Sequence, residues 1–169
     1  MTEQFRVDPP TVADERALLQ GFLDFQRGTL LWKLSGLTDE QLVERAVEPA
    51  TLSLIGLVRH MSEVEKYWFH RALAGHDSPP KYWSAEFPDG DFDHVDPAIV
   101  AEDLEDFRQI VKTSDALAAN YALDDTFLRP GQEPPHSLRY LYNHMIQEYA
   151  RHNGHADLLR QRLDGATGE

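Results

Sequence analysis

The sequence predicts an all-α protein built as a bundle of four long helices with long loops between them. Four stretches repeat apolar residues at steps of three and four, and no stretch of comparable length alternates as a strand would. Segments rich in proline and glycine separate the four. At 169 residues the chain has the size of one domain with a real core. We read a lead-in over 1–12 and a single domain over 13–165, with no internal repeat.

The lead-in ends at Pro9 and Pro10. From about Ala13 to Ser35, Leu18, Phe22, Phe25 and Trp32 recur at helical spacing, and Gly36 suits the stop. Thr38 and Gln41 have capping-box spacing, and Leu37 with Leu42 fit a hydrophobic staple, so a short helix follows and Pro49 stops it. A second long helix runs from about Leu52 to Ala74, with Leu54, Leu57, Val58, Met61, Val64 and Trp68 on one face and His60 at its edge. The segment 76–96 has three prolines and no sustained period. A connection of that length is often functional. Its Tyr82, Trp83, Phe87 and Phe92 either cover a pocket or pin the loop, and Trp83 is taken as a substrate contact. Asp96 and Pro97 open a third long helix that reaches about Asn120, with Val100, Leu104, Phe107, Val111 and Ala118 inward. Its Glu102, Asp103, Glu105 and Asp106 read as a solvated face. After a loop over 121–135, Ser137 opens the last helix.

The composition narrows the function. There are 16 Lys+Arg against 29 Asp+Glu, a net charge of −13, the opposite of the basic footprint that nucleic acid requires. With no cysteine, the chain itself supplies neither a disulfide, a thiolate ligand nor a sulfur nucleophile. The first residues are polar and acidic, unlike a signal sequence, and no window is apolar enough to span a bilayer. A cytoplasmic protein is expected.

The candidate chemistry lies in the last helix. Counting by fours and threes gives the stripe Leu141, Met145, Glu148, His152, His155 and Leu159, with ionisable groups in its middle. Such groups facing a core are costly unless paired or coordinated. Glu148 and His152, four apart, reach one point beside the helix, and His60 is the candidate third ligand from the second helix. Two imidazoles and a carboxylate suit a divalent ion with an open position, where a bound water or thiol would be acidified. His144 lies one further step of four back and is an alternative ligand. His155 is open to a fourth-ligand, substrate-donor or proton-transfer role. A dinuclear carboxylate site would need two Glu-x-x-His motifs, and Glu148 and Glu63 are followed three later by Arg151 and Lys66. The bland alternative is histidines that only hydrogen-bond within the bundle.

Leu57-Val58-Arg59-His60-Met61, together with Glu148-Tyr149-Ala150-Arg151-His152-Asn153-Gly154-His155-Ala156-Asp157, resembles the DinB-like superfamily. More narrowly it resembles an uncharacterised branch, some of it labelled mini-circle proteins, near the mycothiol-dependent maleylpyruvate isomerase and thiol S-transferase enzymes. The resemblance implies a four-helix bundle of up-down-down-up topology holding one divalent metal, zinc or nickel, on His60, Glu148 and His152. Glutamate stands at Glu148 as in the maleylpyruvate isomerase type, whereas Gly154-His155 departs from the common Gly-Gln and leaves the role of His155 open. Activation of a low-molecular-weight thiol such as mycothiol, as a thiolate attacking an electrophile, is the activity implied. Arg59 and Arg151 then become candidates to steady an anionic substrate, and a homodimer is compatible with the superfamily. The rival expectations are a hydrolase using bound hydroxide and a non-catalytic, metal-stabilised bundle binding a ligand or partner.

Overall fold

The structure is a computed structural model that describes residues 6–167; the first five residues of the lead-in lie outside it. Helix α1, Glu15–Leu34, starts at Asp14, whose side chain accepts from the Ala17 N–H at 2.9 Å. Helix α2, Asp39–Val43, carries both bonds of the Thr38–Gln41 capping box. Helix α3, Leu54–Glu65, is capped by Ser53 and continues into a π-wound tail, Lys66–Leu73. The tail is wider than an α-turn: the Ala74 N–H reaches back to the Phe69 carbonyl. The sequence predicts one helix over these two segments and carries no sign of the change in winding.

Helix α4, Gly90–Asp93, interrupts what reads from sequence as an aperiodic loop. Asp96 caps a 3₁₀ turn, Pro97–Ile99, which leads into α5, Val100–Ala118. The two-residue strands β1, Thr126–Phe127, and β2, His136–Ser137, pair antiparallel. Helix α6, Leu138–Asp164, begins at Ser137 and ends on Gly165, whose φ of 80° supplies the left-handed terminus.

Helix α1 packs along α6, and α3 along α5, with α3 also touching α1 and α6. Between them lie Leu23, Leu30, Leu57, Met61, Phe69, Phe107, Leu141 and Met145, all buried. An ionic cluster crosses this core. Arg27 donates from Nε to Glu65 Oε1 at 2.8 Å and from Nη2 to Oε2 at 2.9 Å, and the Tyr149 hydroxyl donates to Oε1 at 2.8 Å. Removing a carboxylate and a guanidinium from water is expensive, and this two-pronged pairing is what makes it tolerable.

That cluster explains where the inward faces depart from expectation. In α1 the core face is Leu23, Arg27, Leu30 and Leu34 rather than the stripe through Phe22, which is 48% exposed. In α6 it is Leu138, Leu141, Tyr142, Met145, Tyr149, Asn153, Ala156 and Leu159. Glu148, His152 and His155 flank this face, half-buried, rather than forming its middle. The solvated acidic face expected on α5 is also corrected at one position. Asp103 is 1% exposed because Arg59 Nε donates to its Oδ2 at 2.6 Å. Among the described residues no helix is long and apolar enough to cross a membrane.

Candidate functional site

The site is assembled by α3, α6 and the 76–96 segment. His60 leaves α3 one turn beyond Gly56, and Gly56 sets how closely the segment can approach. A methyl group there would stand 3.2 Å from Phe92 Cδ1 and 3.5 Å from the Asp91 carbonyl oxygen. A methyl at Gly90 would meet the Tyr82 carbonyl oxygen at 2.5 Å. Glycine at 56 lets α4 lie against α3, and glycine at 90 lets the segment fold back on its own Tyr82.

That approach delivers Asp91, which is 5% exposed, to His60: Oδ2 lies 2.9 Å from Nδ1. Phe92 stacks on the imidazole face, with ring centroids 5.1 Å apart. A carboxylate at Nδ1 favours the tautomer that carries its proton there and leaves the lone pair on Nε2.

The His152 ring from α6 comes to 4.7 Å from the His60 ring, centroid to centroid. Glu148 stands between two histidines of its own helix, with Oε2 3.7 Å from His152 Nε2 and Oε1 3.9 Å from His144 Nε2. His155 Nδ1 lies 3.4 Å from His152 Nδ1. Burial, with the positive charge that His60, His155 and Arg151 can carry, pushes His152 down to about 4. It is therefore neutral at physiological pH, the form in which an imidazole binds a metal or accepts a proton. His144 is also lowered, chiefly by burial against Trp68, whose ring is 4.4 Å away.

His152 is thus the neighbour of both His60 and Glu148. His144 reaches Glu148 but is packed on Trp68 and Tyr140. Among the described residues, no group of three or more histidines and carboxylates is drawn together tightly enough to hold a metal ion as it stands. In kind the set still fits a divalent cation: it offers a neutral imidazole, a second imidazole oriented by a carboxylate, and a half-buried glutamate beside them.

A cavity of about 400 Å³ opens from His60 and Asp91. Tyr67, Trp68 and Arg71 of the π-wound tail form one wall, and Trp83 and Phe92 of the 76–96 segment form another. Its volume and aromatic lining are those of a small-molecule pocket. His155 borders a separate apolar cavity of about 210 Å³ beside Leu52 and Leu159. Arg59 lies elsewhere. It is buried against Asp103, donates from Nη1 to the His94 carbonyl at 2.5 Å, and sits 5.1 Å from the Tyr82 ring, so it fastens the segment to the bundle. Arg151 is exposed on α6. Sequence reasoning missed Asp91 and Arg71. Asp91 is one of several acids in Pro-Asp-Gly-Asp-Phe-Asp, and nothing local distinguishes it.

An all-α protein that sets histidines and carboxylates from facing helices beside an aromatic-walled cavity has the arrangement of a small-molecule site built between helices. The chain matches the Mycothiol-S-transferase family over residues 18–165 and belongs to that family. No curated protein and no solved structure matches it. The family agrees with the resemblance to mycothiol-dependent enzymes and points to a thiol substrate.

Proposed function

We propose that the protein transfers a low-molecular-weight thiol, mycothiol or a close analogue, to a small electrophile, or isomerises such an electrophile through the thiol. We assign His60, Glu148 and His152 as the ligands of one divalent metal ion, zinc or nickel. The observation that carries the reading is the meeting of His152 with His60, which lines the aromatic cavity, in a chain of the Mycothiol-S-transferase family. A bound divalent ion would supply the positive charge that favours a thiolate over a thiol near neutral pH. The chain has no cysteine, so the sulfur comes with the substrate.

The protein's own groups have separate tasks in this scheme. Asp91 holds the His60 ring through Nδ1 and keeps Nε2 free. His155 is assigned to orient His152 or to accept the proton released by the thiol. Trp83 and Phe92 cover the electrophile and exclude water. Helix α1 against α6 and α3 against α5 support a DinB-like four-helix bundle of up-down-down-up order. We take 13–165 as one domain, of the branch near the maleylpyruvate isomerase type. The net charge of −13 supports small-molecule rather than nucleic-acid partners, and we place the protein in the cytoplasm.

The test is metal content by elemental mass spectrometry on the parent and on His60→Ala, Glu148→Ala and His152→Ala, beside thiol conjugation to a chromogenic electrophile. Near-stoichiometric metal and conjugation in the parent, both lost in the variants, are expected. A parent that takes up neither zinc nor nickel would overturn the ligand assignment. Metal without conjugation of any thiol would overturn the transfer.

A further inference from the structure

The cavity has a chemical polarity from one end to the other. His60 and Asp91 lie at one end. Arg71 lies at the other, 11 residues later in sequence, or roughly 15 Å along the helix. Between them the walls are Tyr67, Trp68, Trp83 and Phe92.

The charges near the His60 end are already engaged. Asp91 binds His60 and the Phe92 N–H. Glu63 accepts the N–H groups of Lys81 at 2.7 Å and Tyr82 at 3.2 Å. Lys66 donates to the Pro79 carbonyl at 2.6 Å and lies 3.7 Å from Glu63. Asp89 is exposed at the rim. Arg71 differs from all of these. It is half-buried, and among the described residues no carboxylate pairs with it. Its contact is with the Tyr67 ring, 5.7 Å from guanidinium carbon to ring centroid. A guanidinium partly withdrawn from water, beside aromatic faces and without an anion, is a position that an incoming carboxylate would satisfy with two parallel bonds.

We infer that the electrophile is a flat apolar molecule of about two fused rings bearing a single carboxylate, with the carboxylate on Arg71 and the apolar body against Trp68 and Trp83. That substrate class rests on the thiol-transfer reading; the binding preference itself does not. In this orientation the carbon to be attacked lies at the end of the molecule away from its carboxylate, next to His60.

The test uses the full-length protein with no thiol and no added metal, so its outcome is separate from that of the transfer reaction. Calorimetry compares naphthalene-2-carboxylate, naphthalene-2-carboxamide and 2-naphthylmethylammonium. The parent is expected to bind the carboxylate about tenfold tighter than the amide, with the ammonium weakest. Arg71→Gln abolishes that preference and leaves the amide unchanged, whereas Arg71→Lys retains part of it. Trp83→Ala, at a side chain that is 40% exposed, weakens carboxylate and amide alike. Equal affinities, a tighter ammonium, a preference that survives Arg71→Gln, or no binding of any probe would overturn the proposal. Survival in Arg71→Gln would leave Arg71 as a cation serving only the end of its helix.

Discussion

Asp91 and His60, 31 positions apart, meet with Oδ2 2.9 Å from Nδ1, and the carboxylate that does this is almost wholly buried. A carboxylate behind a histidine fixes the ring's tautomer and raises its basicity, and such partners typically affect metal affinity by about 10–100-fold. Asp91→Asn keeps the size of the side chain and removes its charge. The expected outcome is that fall in zinc or nickel affinity, measured by competition with a chelating dye, while the thermal midpoint barely moves. An unchanged affinity would reduce Asp91 to a clasp between α4 and α3.

Arg27 and Glu65 answer a different question, that of what holds the core together. Arg27 is 4% exposed and Glu65 fully buried, and Arg27 also reaches Asp115 at 2.8 Å. Burial, with Glu65 adding to it, pushes the Tyr149 hydroxyl well above its ordinary range, so it remains a donor. Arg27→Met strands the glutamate and should cost about 3–5 kcal/mol in urea unfolding. Arg27→Met combined with Glu65→Leu should recover most of that loss, because the buried charge is gone. A double variant no more stable than the single would show that the pair itself, and not the avoidance of a lone charge, is what matters.

The same cluster shows how far the sequence can be read. The helices were legible because their periodicity and caps are local: Thr38 with Gln41, Asp96 with Pro97, and Ser137 all act within one turn. The inward faces were less so. Reading apolar residues alone passes over Arg27, Tyr149 and Asn153, which reach the core with bonds to distant partners. The neighbouring stripes, through Phe22 and through Glu148, then look like the buried ones. His60 and His152 could be paired from spacing and an assumed packing of helices. Asp91 could not, since its approach depends on the clearance at Gly56, which involves residues about 35 positions away. The π-winding that carries Arg71 has no residue signature of its own.

Arg59 ties the 76–96 segment to the bundle through Asp103 and the His94 carbonyl. Among the described residues Asp103 Oδ1 has no hydrogen-bond partner, so the buried charge rests chiefly on this guanidinium. Arg59→Met should therefore lower stability by on the order of 3 kcal/mol. It should also speed hydrogen exchange and proteolysis between residues 82 and 94 more than elsewhere. Uniform acceleration across the whole chain would mean that the segment opens only when the bundle unfolds.

His70 provides a pH signature independent of the candidate site. It is buried on the π-wound tail, with Nε2 3.2 Å from the Ser114 hydroxyl and 3.4 Å from the Ile110 carbonyl. Burial holds its pKa below the ordinary 6.5. As pH falls through that ordinary value, the unfolded chain takes up a proton that the folded chain resists. The stability associated with a neutral His70 is therefore complete above about pH 6.5 and declines as pH drops toward the folded value. His144 and His152 are lowered in the same direction, so the parent's curve alone cannot isolate one residue. His70→Gln removes the titration and keeps an amide able to bond Ser114 or Ile110. Urea unfolding should show the variant's stability falling less steeply than the parent's from about pH 7 to about pH 5. The difference in slope is bounded by about 1.4 kcal/mol per pH unit for one proton. Parallel curves would mean that His70 is protonated as readily in the folded chain as in the unfolded one.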